Sequence, residues 1–252
     1  MRDIFSPEGD QALRQALKEN ALFAFDYDGT LAPITAQYAH TSTPREIIQS
    51  LEQLAQLGKV VIITGRSISD VSSRLGFTPH AIIGNHGAES LSAADTGQYA
   101  KLVAGWRAVI DANFAESLNE AGIVMEDKGC SLSLHYRQAH DTVSARQLIL
   151  HACSLLSPPA RIFGGKCVVN IAPHDAPDKA DALLAMARSE KALTAIFVGD
   201  DQNDEVVFRR APERWLTVRV GRNRQSTARY YLEQQTEMAQ FIDTILRHLK
   251  NR

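Results

Sequence analysis

The stretch Leu22-Phe23-Ala24-Phe25-Asp26-Tyr27-Asp28-Gly29-Thr30-Leu31 constrains this chain more than any other. Residues 22–25 are a short, aromatic-rich apolar run closed by a turn signal, the pattern of a buried strand. Buried parallel strands carry their chemistry at the carboxyl end, where loops leave the sheet. Asp26 and Asp28 stand at that end, and side chains two apart on extended backbone point the same way. Two neighbouring carboxylates repel unless a proton or a cation neutralises them, so the pair asks for a hard divalent metal such as Mg²⁺. A lone Asp-Gly is by default an ordinary turn. Asp-x-Asp-Gly-Thr after a buried strand is far more specific and marks a site.

The same texture recurs on both sides. Residues 8–19 read as a helix leading into the first strand, and 44–57 repeat apolar positions at helical spacing, with Pro44 suited to the first turn. Gly58 ends that helix, and Lys59-Val60-Val61-Ile62-Ile63 is a second buried strand running into Thr64-Gly65-Arg66. Residues 67–75 form a helix and 80–83 a third strand, closed by Gly84-Asn85-His86-Gly87-Ala88-Glu89. Alternating strands and helices predict an α/β fold with a parallel sheet.

After Glu89 the pattern changes. Residues 99–121 read as a long amphipathic helix, and 123–127 with 131–137 as a hairpin across Lys128-Gly129. In its second strand Ser131, Ser133, His135 and Arg137 share one face, and Leu132, Leu134 and Tyr136 the other, which suits a sheet with one covered face. A helix over 141–156 follows, then strands over 160–163 and 166–171 around Gly164-Gly165, with Lys166 and Asn170 on one face. This α-β-β-α-β-β block predicts an inserted domain over 92–174, interrupting a core formed by 1–91 and 175–252. The core resumes with a helix opened by Pro177-Asp178-Lys179-Ala180, where Asp178 suits the N-cap. A buried strand over 195–198 then ends in Gly199-Asp200-Asp201-Gln202-Asn203-Asp204-Glu205. A last strand over 216–220 and helices over 226–233 and 236–250 complete the expectation.

Whole-chain properties narrow the function. The 252 residues, 44% of them apolar, can form one large domain or two modest ones. A net charge of −2 gives no electrostatic reason to expect nucleic acid or an anionic membrane as partner. Cys130, Cys153 and Cys167 have no metal-ligand spacing and read as reduced, packed thiols. Residues 1–8 lack the apolar core of a signal peptide, and no apolar run approaches a membrane span, so a cytoplasmic protein is expected.

Four core segments place polar groups at strand ends or a helix start: Asp26/Asp28, Thr64, Lys179 and Asp200/Asp204. Each alone has a commonplace explanation, as a turn, a solvated helix charge or an acidic loop. Together they hold what phosphoryl transfer through an aspartyl-phosphate requires. A carboxylate can attack phosphorus and later leave. A metal ion neutralises charge between nucleophile and phosphoryl oxygens, while a hydroxyl and an ammonium hold the others. A second carboxylate protonates the departing alkoxide and then deprotonates water.

The pattern resembles the haloacid dehalogenase superfamily of phosphatases. Asp26-Tyr27-Asp28-Gly29-Thr30 is similar to its first motif, Thr64 to its second, Lys179 to its third and Gly199-Asp200-Asp201-Gln202-Asn203-Asp204 to its fourth. The insertion is similar to that superfamily's second-position α/β cap. The resemblance implies Asp26 as nucleophile, Asp28 as acid/base, and Thr64 and Lys179 as phosphate holders. It also implies Mg²⁺ on Asp26, Asp200 and the Asp28 carbonyl, with Asp204 positioning that site.

A narrower resemblance, to the trehalose-6-phosphate phosphatases, rests on Thr64-Gly65-Arg66, Gly84 through Glu89, Lys128-Gly129, Leu134-His135-Tyr136-Arg137, Gly165-Lys166-Cys167-Val168-Val169 and Gly199 through Glu205. That family usually has Thr where Asn203 stands and Lys-Gly where this chain has Lys179-Ala180. It commonly reads Val-x-Glu-x-(Arg/Lys)-Pro where this chain has Val168-Val169-Asn170-Ile171-Ala172-Pro173, losing a carboxylate and a cation. The resemblance implies an enzyme acting on a small sugar phosphate, and a monomer is expected. Sugar-reading candidates are Lys128, His135, Arg137, Lys166 and Asn170 from the insertion and Glu89 and Arg66 from the core side. Hydroxyl-rich sugars are discriminated by buried groups that a wrong substrate leaves unpaired. Phosphatases of sucrose phosphate or a glycosyl-glycerate phosphate, a sugar phosphomutase and a non-catalytic sugar-phosphate binder remain alternative readings.

Overall fold

The computed structural model describes residues 1–34, 41–90 and 93–251. The chain opens with β1 (Arg2–Asp3), α1 (Pro7–Leu17), β2 (Ala21–Phe25), α2 (Arg45–Leu57), β3 (Lys59–Ile63), α3 (Ile68–Leu75) and β4 (Ala81–Ile83). It continues through α4 (Ala93–Glu120), β5 (Val124–Asp127), β6 (Leu132–His135), α5 (Thr142–Ser154), β7 (Ala160–Gly165) and β8 (Val168–Pro173). The last third holds α6 (Lys179–Ser189), β9 (Thr194–Gly199), α7 (Glu205–Arg210), β10 (Leu216–Val220), β11 (Tyr230–Leu232) and α8 (Met238–Lys250). Two compact units result, one of residues 1–87 and 178–252, the other of residues 88–177. The expected boundary at 91/92 falls on Leu91 and Ser92, outside the described residues.

The first unit is built on a seven-stranded sheet in the order β1-β11-β10-β9-β2-β3-β4, parallel at every pairing. Alternation along the neighbouring strands β9, β2 and β3 explains why they read as unbroken apolar runs. Phe23, Phe25, Val60, Ile62, Ile196 and Val198 enter one core with residues of α1, α2, α3 and α8. Leu22, Ala24, Val61, Ile63, Ala195 and Phe197 enter the other with residues of α6 and α7. A strand covered on both faces has no polar side to show. Truncating Phe25, fully buried beside the site, to Ala would cost about 3–5 kcal/mol. Thus β2 is rigidly held just before its two aspartates.

The second unit has the predicted α-β-β-α-β-β order. Its antiparallel sheet, β5-β6-β8-β7, packs one face on α4 and α5. Helix α4 begins earlier than its periodicity suggests, but the stripe Tyr99, Val103, Trp106, Ile110, Phe114, Leu118 is the buried one. Leu132 and Leu134 of β6 pair with Ile171 and Val169 of β8 to complete that core. The indole Nε1–H of Trp106 donates to Pro158 O at 3.0 Å, so its polar edge is satisfied.

Four expectations are corrected. The hairpin turn is Lys166-Cys167, not Gly164-Gly165: Gly164 pairs with Val169 and Gly165 with Val168, and Cys167 takes a positive φ of 59°. Lys166 therefore stands in the turn and shares no strand face with Asn170. The polar face of β6 is not open, because Ser131 and Ser133 are as buried as Leu132 and Leu134. Residues 226–233 are not a helix. Tyr230-Tyr231-Leu232, an aromatic run of high β propensity, extends the parallel sheet beside β10 and receives β1, which the sequence pattern gave no sign of.

Candidate active site

The strand ends and one helix start converge as the sequence spacing requires. Lys179 is the first residue of α6, and the cap fixes its place. Asp178 Oδ1 accepts from Asp181 N at 2.8 Å while Asp181 Oδ2 accepts from Asp178 N at 3.1 Å. This reciprocal box satisfies two donors that a helix start would otherwise leave open. Arg210 braces it from outside with bonds to both carboxylates. Ala180, where a glycine was expected by resemblance, is 1% exposed and packs in the core beneath.

From that start the Lys179 ammonium donates to Asp26 Oδ1 and to Asp204 Oδ1, both at 2.8 Å. The second oxygen of Asp204 accepts from the backbone N–H of Asp200 at 2.9 Å and of Asp201 at 3.0 Å. Asp204 is thus fully engaged as a brace for the loop after β9. Gly199 makes the approach possible, since a Cβ there would lie 2.4 Å from the Asp204 carboxyl carbon. Gly29 does the same for Asp200: at φ +83° it needs a left-handed backbone, and a Cβ would fall 2.3 Å from Asp200 Oδ2.

Asp26, Asp200 and Asp204 each offer an oxygen within 4.8 Å of the others, and all three residues are buried. Burial, together with the Asp204 and Asp200 carboxylates, pushes the Asp26 pKa well above the usual carboxylate range, against the pull of Lys179. For Lys179 burial works the other way, but the Asp204 and Asp26 carboxylates outweigh it and raise its pKa. With all groups ionised, one ammonium against three carboxylates leaves two negative charges. A set of buried, hard oxygen donors with that residual charge could hold a divalent cation.

Thr64 is fully buried at the end of β3. Its Oγ1 accepts from Arg66 N at 3.1 Å and its carbonyl from His86 N at 2.9 Å. Gly65 must lack a Cβ because the His86 ring lies where one would go, 2.4 Å away. Asn85 and His86 adopt φ of 49° and 57° to bring that loop in. Arg66 grips Asp28 in a bidentate pair, Nε to Oδ2 and Nη2 to Oδ1, both at 2.7 Å.

In the second unit the candidates divide. Glu126, Ser133, Asn170 and Phe163 form one row of neighbouring positions across β5, β6, β8 and β7. Ser133 Oγ donates to Asn170 Oδ1 at 2.7 Å, and among the described residues Asn170 Nδ2 has no hydrogen-bond partner although Asn170 is 2% exposed. His135 Nε2 lies 2.8 Å and Lys128 Nζ 3.6 Å from Glu126 Oε2. Glu126 escaped the sequence reading, though its two-residue offset from Lys128 on an alternating strand places both on one face. Arg137 and Lys166 are exposed and meet near the hairpin turn, Arg137 Nη2 donating to Lys166 O at 3.3 Å. Glu89 is half-buried in the turn over Asn85–Ser90.

A parallel sheet whose strand β2 runs into two aspartates, with a buried lysine and an acidic loop meeting the first of them, is the frame of a phosphoric monoester hydrolase with the haloacid dehalogenase-like fold. A family model described as "Trehalose-phosphatase" matches residues 24–235. The chain belongs to the trehalose-phosphatase family. It is 31% identical over 223 residues to a "Probable trehalose-phosphate phosphatase" of Sinorhizobium fredii, covering 83% of this chain and 81% of that one. It is 30% identical over 189 residues to the "Trehalose-6-phosphate phosphatase" of Escherichia coli, covering 73% and 71%. Among solved structures, a trehalose-6-phosphate phosphatase related protein superposes with a TM-score of 0.75 at 19% identity, over 92% of this chain and all of that one. The C-terminal domain of a Candida albicans trehalose-6-phosphate phosphatase gives 0.71 at 18%, over 95% and 96%. These two likenesses speak for the fold. No helix among the described residues is long and apolar enough to cross a membrane.

Proposed function

We propose that this chain hydrolyses trehalose 6-phosphate to trehalose and phosphate through a phosphorylated Asp26, in the cytoplasm and as a monomer. The observation that carries the mechanism is the Lys179 ammonium bridging Asp26 and Asp204, with Asp200 alongside. Mg²⁺ held by Asp26, Asp200 and the Asp28 carbonyl would supply charge neutralisation between carboxylate and phosphoryl oxygens. An Asp26 oxygen attacks phosphorus, the bond from phosphorus to the sugar oxygen breaks, and that oxygen takes the Asp28 carboxyl proton. Water then returns a proton to Asp28 and attacks the acyl phosphate, releasing phosphate and restoring the Asp26 carboxylate. Thr64 and Lys179 hold the remaining phosphoryl oxygens.

Residues 92–174 serve in this reading as a cap whose polar row, with Lys128 and His135, reads the sugar. Arg137 and Lys166 complete its candidates, and Glu89 is added from outside 92–174. Asn170 favours a second reading, a phosphatase of another sugar phosphate, because a neutral amide stands where the family has a carboxylate. Phosphate release from trehalose 6-phosphate, sucrose 6-phosphate and glucose 6-phosphate, with Mg²⁺ and with EDTA, tests both. A preference for trehalose 6-phosphate that vanishes in EDTA and in Asp26→Asn is the expected result. Preference for a different sugar phosphate would overturn the substrate and keep the chemistry, and no metal-dependent turnover would overturn both.

A further inference from the structure

The sequence places Arg66 among the groups that touch substrate, yet its side chain is committed elsewhere. It is 1% exposed, and three of its guanidinium hydrogens go to two carboxylates. Nε and Nη2 hold both oxygens of Asp28 at 2.7 Å, and Nη1 donates to Asp70 Oδ2 at 2.6 Å. Asp70 is gripped in turn by Arg74, whose Nε and Nη2 donate to Oδ1 at 2.9 and 2.7 Å. Burial works against the Asp70 carboxylate, but Arg74 and Arg66 outweigh it and hold its pKa low. The Arg66 guanidinium lies over the Tyr27 ring, 5.5 Å from its centroid.

The backbone is fixed as firmly. Arg66 N donates to Thr64 Oγ1, and Arg66 O accepts from Asn85 N at 2.8 Å. Asp70 sits in the first turn of α3, its N–H capped by Ser67 Oγ at 3.2 Å, and Arg74 lies one turn further on. The line Arg74–Asp70–Arg66–Asp28 therefore runs from a helix, through a loop, to the carboxylate two residues beyond the nucleophile. A planar fork on a carboxylate fixes direction as well as distance, which a single ammonium cannot do.

We propose that Arg66 is the positioning residue for Asp28, aiming its carboxyl at the leaving oxygen, and that Asp70 and Arg74 are the strut that aims Arg66. The proposal rests on the reading of Asp28 as the acid that protonates the leaving sugar. Without the fork, Asp28 loses the bidentate restraint that sets its direction, and proton delivery to the departing alkoxide slows. A nitrophenolate leaves without one, so the two leaving groups separate positioning from general damage.

The test measures first-turnover release of trehalose from its 6-phosphate and of nitrophenol from 4-nitrophenyl phosphate, by rapid quench with Mg²⁺, alongside steady-state KM. Arg66→Gln is expected to slow trehalose release by about 100-fold, the range of a lost general acid, and nitrophenol release by less than about fivefold. KM for the sugar phosphate stays within about twofold. Asp70→Asn, which leaves Arg66 in place and alters a partly exposed side chain, shows the same selectivity at smaller size and serves if the first variant does not fold. Arg66→Lys, keeping the charge and losing the fork, recovers only part of the rate. Equal slowing of both substrates, or a raised KM with kcat intact, overturns the proposal. Asp28→Asn is the control: no leaving-group selectivity there overturns the acid role itself, and selectivity there but not at Arg66 overturns the positioning role alone.

Discussion

Replacing Lys179 by Met would remove the only ammonium that bridges Asp26 and Asp204 among the described residues, while keeping a stem of similar length in the same packing. The side chains of Lys179, Asp26 and Asp204 are 4%, 7% and 0% exposed, so water cannot replace the lost charge. Breaking a buried pair by deleting one partner costs about 3–5 kcal/mol. One ammonium serves both carboxylates, so the figure applies once to the triad. A chain of this size loses about 2–4 °C of Tm per kcal/mol, giving a fall of about 6–20 °C. Thermal denaturation followed by circular dichroism, in EDTA at neutral pH, measures it. Adding Asp204→Asn should return part of the loss, because it removes one of the orphaned charges. Added Mg²⁺ should recover stability as well, through the same carboxylates. A fall below about 3 °C in EDTA would refute the view that Lys179 is the charge that makes this buried cluster tenable.

Two further outcomes follow from the same cluster. The folded-state pKa of Asp26 is raised, so the folded chain holds this proton more tightly than the unfolded one, and its contribution to stability is fully present below about pH 4 and lost as pH rises toward the folded value. In EDTA, Asp26→Asn should therefore match wild type in Tm near pH 4 and exceed it increasingly at higher pH, a gap that Mg²⁺ narrows; a constant gap would contradict the sign. Gly199→Ala should cost about 1–3 kcal/mol and at least tenfold in kcat, since its Cβ would meet a fully buried Asp204 that three hydrogen bonds hold in place. Unchanged activity would mean that the loop after β9 can give way.

The middle of the sheet and its polar ends were legible because burial on both faces leaves nothing but an apolar run and a sudden charge. Asp26, Thr64, Lys179 and Asp200 could be placed from strand ends and one capping pattern, without knowledge of tertiary contacts. What was missed depends on distant partners. The strand at Tyr230–Leu232 is three residues long and exists because β10 and β1 flank it. The pair of glycines at 164 and 165 looks like a turn until the cross-strand register with Val169 and Val168 claims them. Arg66 could be noticed from Thr-Gly-Arg, but the end point of a long side chain is not written in spacing, and its two carboxylate partners were invisible. Glu126 was overlooked because Lys128 and His135 were imagined facing a ligand rather than each other's counter-charge.

The interruption of the sheet's unit by residues 88–177 also sets an order of assembly. Strand β2 has β3 on one side early in synthesis, but its other neighbour, β9, is made only after the whole insertion. Lys179 and Asp26 are 153 positions apart, so Asp26 waits on a strand that lacks one neighbour while the intervening unit is made. Pairings of such long separation form slowly and leave an apolar edge open meanwhile. On the ribosome, then, the vulnerable moment of this chain is the interval between Phe25 and Thr194, and the buried cluster around Lys179 can close only after Asp204 has emerged.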